Sequence, residues 1–325
     1  MHMFASWLTA AGSIFAERRS FRPVVRFLAR GALHPRPTVR LLRFLADRSQ
    51  PALPRPVQVD SLLKLGRAHV RHGLSAAERA DLLIAHHAAL RRAMRPDLLQ
   101  AFLAGVPLRL AGIEGRDGAE AFDVLLSRAP FGYRREGEVT LSVRARSSGV
   151  RLADVTFIIG GSAQRAACLR IGGVQGPPAP HGKDAVKAAT KALDGWRPKA
   201  VAIEALYGLA HGLGAASLFA TALSHHVLRG TRKAAMLHAG PYDAFWQELG
   251  ALHLANGDYL LPHEPPHRDA AEVPAKRRKD WERRQLRIAT LGDDIARAMA
   301  AWHSPAAPAR PTSNAGVAEY AVWPP

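Results

Sequence analysis

From about residue 57 to residue 103, apolar positions recur at intervals of three and four, the period of a helix with one buried face. Ser75-Ala76-Ala77-Glu78 within that stretch is a capping box. The serine hydroxyl can accept an amide of the first turn while the glutamate reaches back to the serine amide. Leu82, Leu83, Ala85, His86 and Leu90 carry the apolar face to Met94, and Pro96 interrupts it. The spacing predicts a helical N-terminal region ending near Gly105. Two shorter helical patterns lie upstream, at 23–30 and 38–47, separated by Pro35 and Pro37.

The period then changes. Val139, Leu141, Val143 and Ala145 alternate with Thr140, Ser142, Arg144 and Arg146, which predicts a half-buried strand. Ser147-Ser148-Gly149 predicts a turn, Val155, Phe157 and Ile159 a second strand, Gly160-Gly161 another turn, and 166–172 a third strand. A further strand at 121–127 precedes them. Successive strands with short, turn-rich connections predict an antiparallel meander. Helices follow at 183–193 and 198–212, the second closed by Gly214. Next come an apolar strand at 216–223, a short helix at 242–249, a turn at Gly257-Asp258, a last strand from Tyr259 and a charged helix at 276–299. No internal repeat is present. The tail from 304 to 325 is rich in Pro and Ala without periodicity, so disorder is expected there. The expected class is α+β: a basic helical region over 1–110, a mixed sheet with flanking helices over 111–300, and a disordered tail over 301–325.

A hydrophobic fraction of 48% in 325 residues is enough for a substantial core. No apolar run approaches the roughly eighteen residues of a membrane-spanning helix. Arg18 and Arg19 follow the weakly apolar N-terminus rather than precede it, the wrong order for an export signal, and a cytoplasmic location is expected. The single cysteine, Cys168, excludes an internal disulfide and a cysteine zinc cage, and reads as a small structural residue. His225 and His226 are adjacent and cannot easily face one site, so no metal is expected.

The net charge of +18 concerns partners rather than fold: nucleic acid, anionic lipid or phosphate-bearing small molecules. GC-rich coding accounts for part of the arginine excess. Nine arginines lie between Glu17 and Gln50, against two acidic residues, Glu17 and Asp47. Over 38–47, Val39, Leu42, Leu45 and Ala46 share one side, and Arg36, Arg40 and Arg43 lie mostly on another. Such a helix can lie on an anionic membrane. It can equally dock on its own domain with its arginines in water, the preferred reading. Nucleic acid ranks last, because no recognition helix, zinc finger or aromatic stacking pattern accompanies the charge.

Gly172-Gly173-Val174-Gln175-Gly176 joins the third strand to the helix at Lys183. Glycines let a backbone approach a partner closely, and a helix N-terminus offers free amides to an anion. Lys183, Lys187 and Lys191 form a stripe that suits a phosphate, or is simply a solvated face. Glu204 stands in an otherwise apolar helix with Gly208 and His211 on its side. It could be a general base with a burial-raised pKa, or the partner of an N-terminal arginine, which is slightly favoured. His226 reads as a polar cap at a strand end before it reads as a catalyst. Tyr242, Phe245 and Trp246 read as core.

Several motifs carry a family resemblance. They are Gly172-Gly173-Val174-Gln175-Gly176, Ala189-Thr190-Lys191-Ala192-Leu193, Arg197-Pro198-Lys199 with Glu204-Ala205, Tyr242-Asp243-Ala244-Phe245-Trp246 with Leu249-Gly250, and Glu272-Val273-Pro274-Ala275-Lys276-Arg277-Arg278. In this order they resemble the VirK/YbjX family of Gram-negative bacteria over about residues 21 to 299. Ala222-Leu223 replaces that family's usual Ser-Asn pair, although His226 and Arg229 keep their places, and Gly250-Ala251 replaces Gly-Gly. The resemblance implies a role in virulence, envelope maintenance and resistance to cationic antimicrobial peptides, with no agreed activity.

The element order also resembles the Gcn-five-related acyltransferase fold. That second resemblance implies coenzyme A or acyl carrier protein as acyl donor. Gly172, Gly173, Gln175, Gly176, Lys183, Thr190 and Lys191 would lie around its phosphates, and Glu204 or His226 would be the base. The usual Arg/Gln-x-x-Gly-x-Gly/Ala spacing is missing, and two helices rather than one separate the relevant strands. The leading expectation is an acyltransferase-like protein of envelope modification, peripheral to the inner membrane. The alternative is a non-catalytic membrane-surface or interaction protein. A strand pair splayed beside Gly173 would favour the enzyme.

Overall fold

The computed structural model describes residues 2–303 apart from 119, 163–164, 178–179, 181, 230, 232–241 and 268. Of the tail expected to be disordered over 301–325, residues 301–303 are ordered, with Trp302 buried in the core, and the rest lies outside the described residues, as does the tip of the hairpin after Gly160-Gly161.

Six helices open the chain: α1 (His2–Arg18), α2 (Phe21–Leu33), α3 (Pro35–Ala46), α4 (Arg55–Lys64), α5 (Ala76–Ala93) and α6 (Pro96–Ala104). The stretch predicted as helical over 57–103 is thus three helices, with irregular chain at 65–75. The two helices expected on either side of the prolines are α2 and α3; the break falls at His34, and Pro35 and Pro37 sit in the first turn of α3, where a missing amide costs nothing. The capping box of α5 forms as the sequence requires, with Glu78 N donating to Ser75 Oγ at 3.2 Å and Ser75 N to Glu78 Oε2 at 2.8 Å. Gly105 ends α6 at φ 108°, a conformation that favours glycine. In α3, Leu41, Leu42 and Leu45 are buried while Arg36, Arg40 and Arg43 face water, and Arg40 reaches Asp81 of α5 at 2.7 Å. The docked reading therefore holds for α3.

The sheet follows: β1 (Leu108–Glu114), β2 (Ala121–Arg128), β3 (Val139–Ala145), β4 (Arg151–Ser162) and β5 (Arg165–Gln175). Then come α7 (Gly182–Ala192), α8 (Pro198–Gly212), β6 (Ala215–Ala220), α9 (Tyr242–Glu248), β7 (Leu252–His253), β8 (Tyr259–Leu260) and α10 (Arg278–Ala300). The eight strands lie in the order β1-β2-β3-β4-β5-β6-β8-β7. The predicted meander is present from β1 to β5, all antiparallel. β5 and β6 are parallel, which requires the long crossover that α7 and α8 supply. β1 shows no steady alternation in the sequence, because a register shift between Arg109 and Ala111 breaks it. The strand expected over 166–172 is β5, which continues to Gln175.

Every residue of β4 from Leu152 to Gly160 is buried, so both its faces are covered, by α5 and α8. Helix α8 is buried nearly all round because it lies between the sheet and α10, where Gly208 and Gly212 pass Ile295 and Met299. One contiguous core joins Ile14, Phe27 and Leu41 of the first helices to Val155, Leu169 and Leu206. Asp194, in the turn between α7 and α8, is completely buried and paired with Arg116, Arg283 and Arg287, which fastens α10 to that turn. Burial opposes ionisation there, but the bonds from Arg287, Arg116 and Arg283 hold the carboxyl at about 2.

Candidate functional site at the parting of two strands

β5 and β6 pair from Ala167↔Ala215 to Ile171↔Ala220, and a last bond runs from Thr221 N to Ile171 O at 2.9 Å. Beyond it β5 continues beside β4 alone, with Gly173 opposite Thr156 and Gln175 opposite Asp154. Gly172 is the extra residue of a bulge, since the register steps from Phe157↔Ile171 to Thr156↔Gly173. β6 instead enters a short turn over 223–225 that delivers His226. The parallel pair therefore parts at the two glycines.

What approaches those glycines is the chain itself. A Cβ on Gly172 would collide with Glu136 O and lie 2.9 Å from Val70 O, and one on Gly173 would strike the Glu136 carboxylate. Gln175 Nε2 donates to both carboxylate oxygens of Glu136, at 3.1 and 3.0 Å. His226 Nε2 lies 3.6 Å from Glu136 Oε1. The Leu228 amide donates to His226 Nδ1 at 3.3 Å, so Nδ1 is an acceptor and a neutral ring carries its proton on Nε2, towards Glu136. Tyr242 stands edge-on to His226 at 5.9 Å and to Trp246 at 6.0 Å. The Tyr242 hydroxyl and Trp246 Nε1 are buried with no hydrogen-bond partner among the described residues. Burial raises the Tyr242 pKa, with the charges of Glu136, Asp243 and Asp258 adding to it, so the phenol stays protonated. Asp243 accepts the Leu223 amide at 2.8 Å, tying the start of α9 to the turn that carries His226.

A second buried cluster lies two residues along the chain. Lys64 Nζ is 2.8 Å from Asp60 Oδ2 and 2.5 Å from Glu138 Oε1, and His69 Nε2 is 3.0 Å from the same Glu138 oxygen. Burial alone would raise the Glu138 pKa, but Lys64 and His69 overcome it and hold the carboxyl well below its ordinary range. His86 Nδ1 accepts the Ile159 amide at 3.4 Å, and His87 Nε2 is 3.0 Å from Ser61 Oγ. Burial lowers both imidazoles, His87 to about 4. Between the clusters is Val70, fully buried with φ 64°, a backbone region costly for a β-branched residue. Its amide donates to Arg135 O at 2.7 Å, and its carbonyl accepts from Thr221 Oγ1 at 3.5 Å.

Of the residues singled out in the sequence, Gly172, Gly173, Gln175 and His226 converge. Gly176 follows, with no described residue within 4 Å of where a Cβ would stand. Lys183 and Lys191 belong to an exposed stripe of α7, and Thr190 uses its hydroxyl on Val186 O at 2.7 Å within that helix. Glu204 is elsewhere, on α8. It stands 3.6 Å from His267, whose own pKa burial lowers, and no N-terminal arginine pairs with it among the described residues; burial raises its pKa to about 7. Trp246 is core, as expected, but Tyr242 brings an unpartnered hydroxyl to the cluster. Glu136 escaped sequence reasoning: it lies in a turn without periodicity, and its one signal is the pair of acids flanking Gly137 just before β3.

Comparison with known proteins gives a consistent placement. The model of a family described as "Protein of unknown function (DUF535)" matches residues 16–301. The uncharacterized protein YbjX of Escherichia coli (strain K12) is 31% identical over 293 residues, covering 87% of this chain and 84% of that protein. No solved structure matches the chain. The chain belongs to the DUF535, or VirK/YbjX, family.

Proposed function

We propose that this family member is an acyltransferase-like enzyme of envelope modification that works at the inner membrane and takes its acyl group from coenzyme A or acyl carrier protein. The observation that carries the reading is the parting of the parallel β5/β6 pair at Gly172-Gly173, with Glu136, Gln175, His226 and Tyr242 gathered in the opening. The open backbone at Gly176 and the exposed Lys183 beyond it suit the phosphates of a donor. Glu136, held by Gln175 and faced by His226 Nε2, would itself accept the proton that an acceptor hydroxyl or amine loses as it attacks the thioester carbonyl. The unpartnered Tyr242 hydroxyl would protonate the leaving sulfur as the C–S bond breaks. Glu204, lacking any contact with this group among the described residues, gives up the role of base to Glu136, with His226 as a positioning residue. Envelope maintenance and resistance to cationic peptides are the setting that the family resemblance implies.

One observation favours a second reading. The opening is filled by Glu136 and by the Val70 carbonyl, and the cavity beside it, lined by Arg71, Arg170 and Asp258 among others, holds only about 10 Å³. A protein that keeps the arrangement without the chemistry, as an interaction module, would look the same. A thermal-shift titration with coenzyme A and with acyl carrier protein separates the two, because a ligand that binds only the folded state raises its Tm. Gly173→Val is a poor control, since its side chain would displace Glu136. Gly176→Val is the clean one. The enzyme reading expects a shift in the wild type that disappears in Gly176→Val and persists in His226→Gln, which should instead lose acyl transfer. No shift with either donor in the folded wild type leaves the interaction reading.

A further inference from the structure

The first two helices carry an unusual surface. Rings of Trp7 and Phe27 pack 5.7 Å apart near one end of the pair and those of Phe15 and Phe21 4.5 Å apart at the other, so α1 and α2 form an antiparallel hairpin. Val24, Phe27 and Gly31 of α2 face the core. Phe21, Val25 and Leu28 share a different side at helical spacing and are exposed, Phe21 by 71% and Val25 by 61%. Leu8 and Phe15 of α1 are exposed as well, and the Phe15–Phe21 contact joins the two apolar strips into one patch. A third side of α2 carries Arg22, Arg26 and Arg30, all exposed. These arginines line a groove of about 400 Å³ whose opposite wall includes Leu62, Leu65 and Arg67, and no acidic residue lines it among the described residues.

We propose that the α1–α2 hairpin is a docking element for an anionic lipid bilayer, its apolar strip entering the acyl boundary and its arginine groove receiving headgroup phosphate. Exposed aromatic and aliphatic side chains in a continuous strip gain by leaving water, and a monomer rarely shows them without a partner. The charge names the partner. From α1 to the end of α2 there are five arginines (Arg18, Arg19, Arg22, Arg26, Arg30) and a single acid, Glu17; Arg18 pairs with Asp60 of α4 at 3.6 Å, and Arg22, Arg26 and Arg30 carry the argument. A purely polyanionic partner such as nucleic acid would leave the apolar strip in water; a neutral apolar surface would leave the arginines unmatched. An anionic membrane interface meets both sides of one helix together. The sequence placed the membrane option on the helix at 38–47, but α3 exposes no large apolar side chain among the described residues, so the surface is confined to the hairpin. The inference deepens the inner-membrane location proposed above, and its test is independent of acyl transfer.

Deleting the hairpin would strip Ile14 and Phe27 from the core, so exposed positions are changed instead. Flotation of the full chain with phosphatidylglycerol or phosphatidylcholine vesicles should show binding to the former alone, weakened by salt. The double variants Phe21→Ser/Val25→Ser and Arg22→Gln/Arg26→Gln should each lose about tenfold or more in affinity, with unchanged Tm. No flotation at low salt, or equal flotation of the variants, overturns the proposal. A protein whose light-scattering mass falls from dimer to monomer in Phe21→Ser/Val25→Ser also overturns it, because the strip would then be covered by a second copy. Failure here with a coenzyme A shift intact would leave the enzyme reading standing, and the converse result would leave the docking surface.

Discussion

Glu136 and Glu138 flank Gly137 and send their carboxylates into different buried clusters, one to Gln175 and His226, the other to Lys64 and His69. The separation depends on Gly137, which passes so close to Phe157 that a Cβ would collide with the Phe157 backbone. The two carboxylates do different work. Glu138 has a full counter-charge in Lys64, whereas Glu136 has an amide and an imidazole, and can exchange a proton without stranding a cation.

Glu138→Gln should therefore be the damaging member of the pair. It leaves Lys64 with Asp60 alone and should cost about 3 kcal/mol, as expected when one partner of a buried ion pair is removed. Glu136→Gln keeps shape and strands no charge, and should cost less than about 1 kcal/mol. Urea denaturation of both variants reads the difference, and equal losses would contradict this division of roles.

Glycine substitutions should rank by what the new Cβ meets. Gly172→Ala puts a methyl group against two backbone carbonyls, Glu136 O and Val70 O, which cannot swing away, and should cost about 2 kcal/mol or more. Gly212→Ala meets only the thioether end of Met299, which can move, and should cost under about 1 kcal/mol. Gly176→Ala, whose methyl group meets no described residue, should stay within about 0.5 kcal/mol of the wild type.

Acid should unfold the protein in two stages. His87 titrates at about 4 in the fold, below the ordinary imidazole value of 6.5. The stability tied to its neutral form is present above 6.5 and is lost as pH falls towards 4. Asp194, held at about 2 instead of 3.8, contributes stability above 3.8 that is lost as pH falls through 2. His87→Gln should flatten the first stage and Asp194→Asn the second in Tm measured against pH. An unchanged profile in either variant would contradict the assignment.

Glu204 acts with the opposite sign. Its folded value of about 7 exceeds the ordinary 4.5, so its contribution is complete below 4.5 and disappears as pH rises through 7. Glu204→Gln should accordingly gain on the wild type between those limits, with a Tm advantage of about 3 °C or more above pH 8. A variant less stable than wild type at high pH would mean that the contact with His267 outweighs the burial of the charge.

The sequence by itself determined most of the elements. Alternation revealed β2 to β5, the capping box fixed the start of α5, Gly214 marked the end of α8, and the ordered glycine, Thr-Lys and Phe-Trp motifs identified the family. These signals are local, set by backbone periods and by residues that only certain turns accept. Even so, β1 was lost to a register shift, and the arginines of 36–43 read alike whether docked or lying on lipid. Tertiary structure alone decided which chemistry meets. Glu136, Gln175 and His226 come from a turn, a strand end and the exit of another strand, and they share one site only because β5 and β6 run parallel and then part. Glu204, the carboxylate most conspicuous in the sequence, is placed elsewhere because its side of α8 looks towards His267. A parallel pair is built across a long crossover, so the residues at its opening carry no spacing rule that the chain could display.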